Sequence, residues 1–199
     1  MINKPAETEV EIAPLISERW SPRVFDSDFI IDESNVKSIL EAARWAPSCF
    51  GDQPWKFVIF QKKDALQWVN ALNCLSVGNQ NWAMDTSLLI CVCANKKFKH
   101  NDNENKWSQY DTGAASENIC LQSTYLGLAA HQMGGFDSDK IRNLANIPVE
   151  FDVMSFIAVG KPLAKKLMTI EQAEAEGSAR KRLKLNEIYF ENKWDNFEG

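Results

Sequence analysis

The sequence predicts a single domain with a layered α/β core. Short apolar segments typical of strands alternate with segments whose apolar residues recur at helical spacing. The chain has 199 residues, enough for one sizeable core, and 45% of them are hydrophobic and 25% charged. Because the connections between these segments are irregular, we do not expect a doubly wound sheet.

The first helix is predicted to begin at Asp32 or Ser34, since either side chain can cap a helix N-terminus, and to continue to about Trp45. Its apolar residues form one buried stripe: Val36, Ile39, Leu40 and Ala43. Pro47 ends this helix, because the residue before a proline is disfavoured in the helical conformation.

The following segments predict two strands with a helix between them. Residues 56–60 (KFVIF) indicate the first strand, and Asp64 starts the helix. Along one face of that helix lie Leu66, Val69 and Leu72 or Asn73. Residues 87–94 (SLLICVCA) indicate a strand that is buried on both sides, in which Cys91 and Cys93 share one face. Residues 98–106 are polar and indicate a loop.

A long helix is predicted from Ser108 to about Ala130. Its small residues 113–116 either let another helix approach closely or lie against the helix's own core. Residues 131–140 then predict a short extended piece, a Gly-Gly corner and a helix capped by Asp137 or Ser138.

The last part of the chain predicts a third strand, a short helix and a strand-like tail. Residues 155–160 (SFIAVG) indicate the strand, and Thr169 caps a helix that Gly177 ends. The tail has strand-like residues at the centre of residues 185–194 and no following element to cover it. Because an uncovered strand edge is a liability, we expect the tail to find its sheet in another subunit.

Composition disfavours several classes of function. The net charge of −5 argues against nucleic acid or an anionic membrane as a partner. The longest apolar run, residues 88–94, is far shorter than the roughly 20 residues a membrane-spanning helix needs. Residues 1–15 lack the pattern of a signal peptide, and we interpret them as a flexible lead on a cytoplasmic protein.

Common catalytic and metal-binding motifs are missing from the sequence. The five cysteines form no CxxC pair and there are only two histidines, so no metal site is expected. The chain has no GxSxG, P-loop or GxGxxG motif. Basic residues nevertheless cluster late in the chain, where they either hold a small anion or form a solvated face: Lys161, Lys165, Lys166, Arg180, Lys181, Arg182 and Lys184.

Three separated segments together indicate one ligand. Residues 19–25 (RWSPRVF) offer two arginines and a hydroxyl, which suit a phosphate. Residues 46–57 (APSCFGDQPWKF) place stiff prolines and small polar groups beside a tryptophan, which suits a flat ring with polar edges. Residues 133–136 (MGGF) include two glycines that let the backbone approach a ligand closely.

In this order and spacing, from about residue 16 to the end of the chain, the segments resemble the FMN-dependent nitroreductase family. The pattern is Arg-x-Ser-x-Arg-x-Phe, a helix, APSxxxxQPWxF, a GGFD corner after a long helix, and Arg-x-Arg before the tail. The resemblance implies an α+β fold: one domain over residues 1–199, a three-layer α/β/α sandwich with a mostly antiparallel, mixed sheet. It also implies a homodimer in which about residues 187–199 extend as a strand onto the partner's sheet.

The resemblance assigns two sets of residues to the polar groups of FMN. Arg19 and Ser21 match positions that hold the phosphate, with Arg180 and Arg182 as the C-terminal contribution. Arg23 matches the cation near the pyrimidine edge of the flavin, and Asn79 matches an amide that contacts the same edge. Many members have a second arginine where Trp20 stands.

Two further sets border the flavin ring in the resemblance. Pro47, Ser48 and Cys49 match the wall that the partner subunit contributes, and Gln53 adds a polar group at the same corner. The strip beside the isoalloxazine comprises Gln132, Met133, Gly134 and Gly135, with the Gly135 N–H near flavin N5.

The resemblance implies an oxidoreductase in which FMN carries the chemistry, so no catalytic side chain is required. NAD(P)H would donate electrons, and a nitroaromatic or quinone would accept them in a ping-pong sequence. Two alternatives remain open: flavin reduction or another redox reaction on the same scaffold, and flavin binding without turnover.

Overall fold

The structure, a computed structural model, describes residues 2–194 as an α+β domain with one sheet. The strands are β1 (Trp55–Gln61), β2 (Leu88–Asn95), β3 (Ala129–Met133) and β4 (Phe151–Gly160). The helices are α1 (Pro14–Glu18), α2 (Glu33–Arg44), α3 (Ala65–Leu72), α4 (Val77–Ala83), α5 (Ser108–Tyr125), α6 (Ser138–Leu144) and α7 (Ile170–Gly177).

The four strands lie in the order β1-β2-β4-β3, and each neighbouring pair is antiparallel. The expectation of a mostly antiparallel sheet is therefore confirmed. Within residues 2–194 no parallel pair occurs, so the mixed character expected of the sheet is not present in the described strands. β1 is an edge strand whose outer side has no paired strand among the described residues.

The sheet separates two apolar cores, which gives the three layers that the resemblance implies. Successive residues of β2 point to opposite faces, so Leu89 and Cys91 join one core while Leu88 and Ile90 join the other. The first core packs beneath α3, α4 and α6, and the second packs beneath α2 and α5. β2 is consequently buried on both sides, as predicted.

Most predicted elements are confirmed within a few residues. The stripe of α2 is buried at Val36, Ile39 and Ala43, with Leu40 packed against it. Asp64 and Asp137 cap α3 and α6 through their side chains, and Thr169 forms a capping box with Gln172 at the start of α7.

Three local predictions are wrong for identifiable reasons. α3 buries Trp68 and Ala71, and the predicted Leu72 packs against the first core. Leu66 is 69% and Val69 50% exposed, because the large Trp68 side chain sets the inward face. α4 was not predicted, because its Val, Gly and Asn residues are weak helix formers. α5 ends at Tyr125 instead of near Ala130, because Gly127 adopts a φ of 71° and the chain then enters β3.

The tail does not form a strand within one chain. Leu185–Glu187 is a short 3₁₀ helix, and residues 188–194 have no regular secondary structure. A strand requires a neighbouring edge, and this tail meets none in its own sheet. Residue 1 of the predicted lead and residues 195–199 of the predicted extension lie outside the described residues. Among residues 2–194, no helix combines the length and apolar character needed to cross a bilayer.

Candidate functional site

Five of the predicted site residues line one cation-rich cavity. The cavity measures about 300 Å³ and lies between α7 and the segment that follows α1. Its walls contain these candidates: Arg19, Ser21, Arg23, Arg180 and Arg182. Lys4, His131 and Glu176 also line it. The fold therefore brings the basic residues from both ends of the chain to one place.

Arg180 holds the two ends of the chain together. Its Nη1 donates to the carbonyl oxygens of Lys4 at 3.1 Å and Ser17 at 2.7 Å. Its Nη2 donates to the carbonyl of Arg19 at 2.9 Å. Burial lowers the pKa of Arg180, and the charges of Arg19 and Arg182 lower it further. Arg180 thus both positions the Arg19 backbone and adds to a crowded group of cations.

This group of cations suits a phosphate. The buried carboxyl that lines the same cavity, Glu176, accepts a hydrogen bond from the Arg23 N–H through Oε1 at 2.9 Å. Its Oε2 is buried and has no hydrogen-bond partner among residues 2–194, and burial raises the pKa of this carboxyl. One carboxyl does not balance the surrounding cations, and a phosphate would supply the missing negative charge.

Glu117 on α5 connects two predicted site residues. Its Oε1 pairs with Arg19 Nε at 3.2 Å, and its Oε2 accepts from Gln132 Nε2 at 3.5 Å. Gln132 Nε2 also donates to Cys120 Sγ at 3.4 Å. Burial raises the pKa of Glu117, an effect that Arg19 opposes. The phosphate-side arginine and the residue expected beside the flavin ring are therefore tied to one carboxylate.

The Gly-Gly corner is built against α4. The carbonyl of Gly135 accepts from Ser76 N at 2.9 Å and from Asn79 Nδ2 at 3.0 Å. A Cβ on Gly135 would lie 2.8 Å from Ser76 Oγ, whereas a Cβ on Gly134 would meet no atom within 4 Å. Among the described residues, the N–H groups of both glycines lack a hydrogen-bond acceptor. The corner thus presents two free backbone donors on an open side.

The segment between α2 and β1 holds an unusual backbone conformation. Phe50, Gly51 and Gln53 have φ values of 54°, 65° and 49°, a region that costs non-glycine residues energy. Buried Asp111 accepts from the Cys49 N–H at 3.0 Å, and Ser48 Oγ accepts from the Gln53 N–H at 3.0 Å. Specific hydrogen bonds therefore stabilise this segment in one shape, as expected of a binding wall.

An aromatic group projects from the same segment. Phe50 is 82% exposed, and its ring lies 5.8 Å from that of Phe98 and 5.4 Å from that of His100. The loop that carries Phe98 is fastened to the segment, because Lys99 donates to Asp52 and to the carbonyl of Gln53. The polar loop predicted at residues 98–106 therefore supports the wall.

The predicted site residues do not all line one cavity. A cavity of about 640 Å³ is lined by Gln53 and its neighbours and shares no residue with the arginine-lined cavity. Pro47 is exposed, and Ser48 and Cys49 are half-buried. Met133 is 3% exposed and packs in the core, so its side chain does not line an open surface.

Sequence reasoning missed several residues of this region. Lys4, Ser76, Glu117, His131 and Glu176 contact or surround the predicted residues. Each reaches the site through tertiary packing, and no local motif in the sequence marks them. The capped start of α7 is a visible signal for that helix, but it does not reveal that Glu176 faces the arginines.

Known proteins resemble this chain over most of its length. The model of the Nitroreductase family matches residues 16–76 and 74–161. An Archaeoglobus fulgidus protein named NADH dehydrogenase/NAD(P)H nitroreductase is 31% identical over 160 residues, covering 78% of this chain and 88% of that protein. A Helicobacter pylori protein named oxygen-insensitive NADPH nitroreductase is 25% identical over 186 residues, covering 76% of this chain and 87% of that protein.

A solved structure agrees in fold over nearly the whole chain. A crystal structure described as an oxidoreductase containing FMN superposes with a TM-score of 0.88 at 33% sequence identity. The match covers 98% of this chain and 99% of that one. The sandwich, the Gly-Gly corner and the arginine cluster lie within the matched length. On these grounds the chain belongs to the nitroreductase family.

Proposed function

We propose that this protein is a homodimeric, cytoplasmic oxidoreductase that uses FMN and NAD(P)H to reduce small acceptors such as nitroaromatics or quinones. NAD(P)H is oxidised first and leaves as NAD(P)⁺. The acceptor then enters the same pocket, so the kinetics are ping-pong. The family membership and the FMN-containing structural relative support the cofactor. The five cysteines form no disulfide among residues 2–194, which suits a reducing compartment.

The observation that carries the proposal is the unbalanced cluster of Arg19, Arg180 and Arg182 around one cavity. Such a cluster fits a phosphate ester at the end of a cofactor, and the free N–H groups at Gly134 and Gly135 fit a polar ring edge. When bound, FMN supplies the hydride chemistry that no side chain of this protein supplies.

The remaining residues bind and orient. Arg19 and Ser21 hold the phosphate, and Arg180 and Arg182 complete its surroundings. Arg23 supplies positive charge at the pyrimidine edge, where it favours negative charge that develops on reduction. Asn79 stabilises the corner by donating a hydrogen bond to the Gly135 carbonyl. The Gly135 N–H of that corner would donate to N5 of a bound flavin.

Two observations support a dimer with exchanged tails. Residues 50–53 of the expected wall line a cavity that shares no residue with the arginine-lined cavity, and a second subunit would bring a wall of this kind to the arginines. In addition, β1 has an edge that no strand of residues 2–194 covers, while the tail exposes apolar residues such as Ile188 and Tyr189. Pairing the tail of one chain with β1 of its partner would cover both surfaces.

Steady-state kinetics test the function. The purified protein is expected to carry FMN, identified by mass spectrometry of the cofactor released on heating, and to oxidise NAD(P)H when a nitroaromatic or quinone is added. Parallel lines in double-reciprocal plots would indicate the ping-pong sequence. A flavin-loaded protein that oxidises no NAD(P)H with any acceptor is a binding protein, and rapid turnover with free flavin alone indicates a flavin reductase. Release of FAD alone would contradict the choice of cofactor.

The dimer is expected to be obligate, so that removing the tail leaves no soluble, flavin-loaded subunit. A chain that ends before Glu187 lacks the predicted exchanged strand, so it should aggregate or lose flavin. Ile188→Asp, at a side chain that is 62% exposed in one chain, should weaken the dimer in the same direction. Val149→Asp is the matched control, because Val149 is 71% exposed and lies outside the tail. Light scattering measures the mass, and a yellow, soluble monomer after truncation would contradict the prediction.

A further inference from the structure

The carboxylate of Glu117 lies between the two ends of the proposed flavin site. It reaches Arg19 Nε at 3.2 Å on the phosphate side and Gln132 Nε2 at 3.5 Å on the ring side. A single carboxylate therefore lies between these two donors, and in FMN the five-carbon ribityl chain lies between the phosphate and the ring.

Glu117 is open to a ligand even though it already has two contacts. Its side chain is 47% exposed, whereas that of its partner Arg19 is only 18% exposed. Glu117 also lines a cavity of about 690 Å³ together with Arg19, Arg180 and Arg182. An ionised carboxylate accepts about four hydrogen bonds, so the contacts with Arg19 and Gln132 leave acceptor capacity for a third group.

Chemistry narrows the kind of group that Glu117 accepts from. A carboxylate repels a phosphate and is poorly matched to an apolar ring, but it is a strong acceptor for alcohol O–H groups. Arg19 and Gln132 contact this carboxylate through N–H groups, which donate hydrogen bonds and cannot accept one from a ligand hydroxyl. The Glu117 carboxylate can. Between a phosphate and an isoalloxazine ring, the ribityl chain is the part of FMN that carries hydroxyls.

We propose that Glu117 binds the ribityl chain of FMN, accepting a hydrogen bond from at least one of its hydroxyl groups. This inference rests on the proposed function, because it takes FMN as the occupant of the site. It adds to that function a ligand on α5, which lies between the residue proposed at the phosphate, Arg19, and the residue proposed beside the ring, Gln132.

Three flavins separate this role from the alternatives. FMN carries ring, ribityl chain and phosphate, riboflavin lacks the phosphate, and lumiflavin lacks both the phosphate and the ribityl chain. Binding of each to the full-length protein, stripped of its cofactor, is measured by quenching of flavin fluorescence, and by competition with FMN where binding is weak. The variants are Glu117→Ala and Glu117→Gln, and circular dichroism checks that they fold.

Glu117→Ala is expected to lower the affinity for FMN and for riboflavin by roughly ten- to a hundredfold each, the range for loss of a charge-assisted hydrogen bond. The affinity for lumiflavin should not change. Glu117→Gln keeps a neutral acceptor oxygen, so its losses should be smaller. Glu33→Ala is the matched control. Glu33 lies on α2, is 50% exposed, and pairs with Lys63 Nζ at 3.0 Å, so its loss should change the affinity for none of the three flavins.

Each other outcome overturns the proposal. If only FMN binding weakens, Glu117 acts through Arg19 on the phosphate and does not contact the ribityl chain. If binding of all three flavins weakens equally, Glu117 maintains the shape of the ring site. If binding of none weakens, the carboxylate does not face the cofactor. Wild-type protein that binds none of the three would instead refute the proposed function itself, and the inference with it.

Discussion

Gly135→Val is expected to reduce the flavin several-fold more slowly than the wild type at saturating NAD(P)H, and to be less stable. A Cβ at this position would lie 2.8 Å from Ser76 Oγ and 2.9 Å from Asn79 Nδ2. Either α4 or the corner must then move, which also strains the bonds from Ser76 N and Asn79 Nδ2 to the Gly135 carbonyl. Overpacking costs about 1–3 kcal/mol, and the proposed donor to flavin N5 moves with the backbone.

Stopped-flow bleaching of the oxidised flavin band measures the rate, and thermal unfolding measures stability, with a shift of about 2–4 °C per kcal/mol for a chain of this size. Gly78→Ala is the control for stability, because Gly78 lies in α4 one residue from Asn79 and its added Cβ meets nothing within 4 Å. Bleaching at the wild-type rate with FMN fully bound would show that the corner is an ordinary turn.

Gly134→Ala distinguishes two reasons why the corner contains glycines. Within one chain, its added Cβ meets nothing within 4 Å, so the fold itself tolerates the change. Any loss of FMN affinity must then come from a group that occupies the open side. From the sequence, both glycines were expected to allow close approach of the ring, whereas packing against Ser76 and Asn79 already requires a glycine at position 135.

The sequence predicted those elements whose signal is local. β2 was predictable because a run that is apolar at every position must be buried on both sides, and α7 because Thr169 and Gln172 form a capping box. α4 was not predictable, since VGNQNWA contains a valine, a glycine and two asparagines, which are weak helix formers, and has no clear apolar stripe. Packing of Trp82 and Ala83 stabilises it.

The same distinction applies to the site. Arg19, Ser21 and Arg23 stand in a compact motif, so the resemblance identified them, and the structure places them around one cavity with Arg180. Glu117 and Glu176 carry no motif of their own. They reach the arginines only because α5 and α7 pack beside the segment that follows α1, which no local pattern encodes.

The arrangement of charges gives the arginines unequal roles. Arg180 donates three hydrogen bonds to backbone carbonyls, so both terminal nitrogens of its guanidinium already hold the chain ends. Arg19 uses only Nε on Glu117 in the described contacts, which leaves both terminal nitrogens of its guanidinium for a phosphate. The loss of Arg19 should therefore affect phosphate binding more directly than the loss of Arg180.

Arg19→Ala is expected to lower the affinity for FMN by roughly ten- to a hundredfold, because a charge-assisted hydrogen bond contributes about 1.5–3 kcal/mol to binding. Arg19→Lys should recover part of the affinity, since it keeps the charge but loses the two-pronged geometry. Fluorescence titration of FMN into each stripped variant gives the dissociation constants.

Trp20→Ala is the neighbouring control for this prediction. Trp20 lines the same cavity, and Lys4 Nζ lies 4.6 Å from the centroid of its ring. Its side chain has no guanidinium that could bind a phosphate with two hydrogen bonds. Its loss should therefore weaken FMN less than Arg19→Ala does. Riboflavin gives the second control: without a phosphate, its affinity should change far less than that of FMN when Arg19 is removed. Equal losses of FMN in the two variants, or equal losses of FMN and riboflavin in Arg19→Ala, would remove Arg19 from the phosphate site and move the phosphate elsewhere in the arginine cluster.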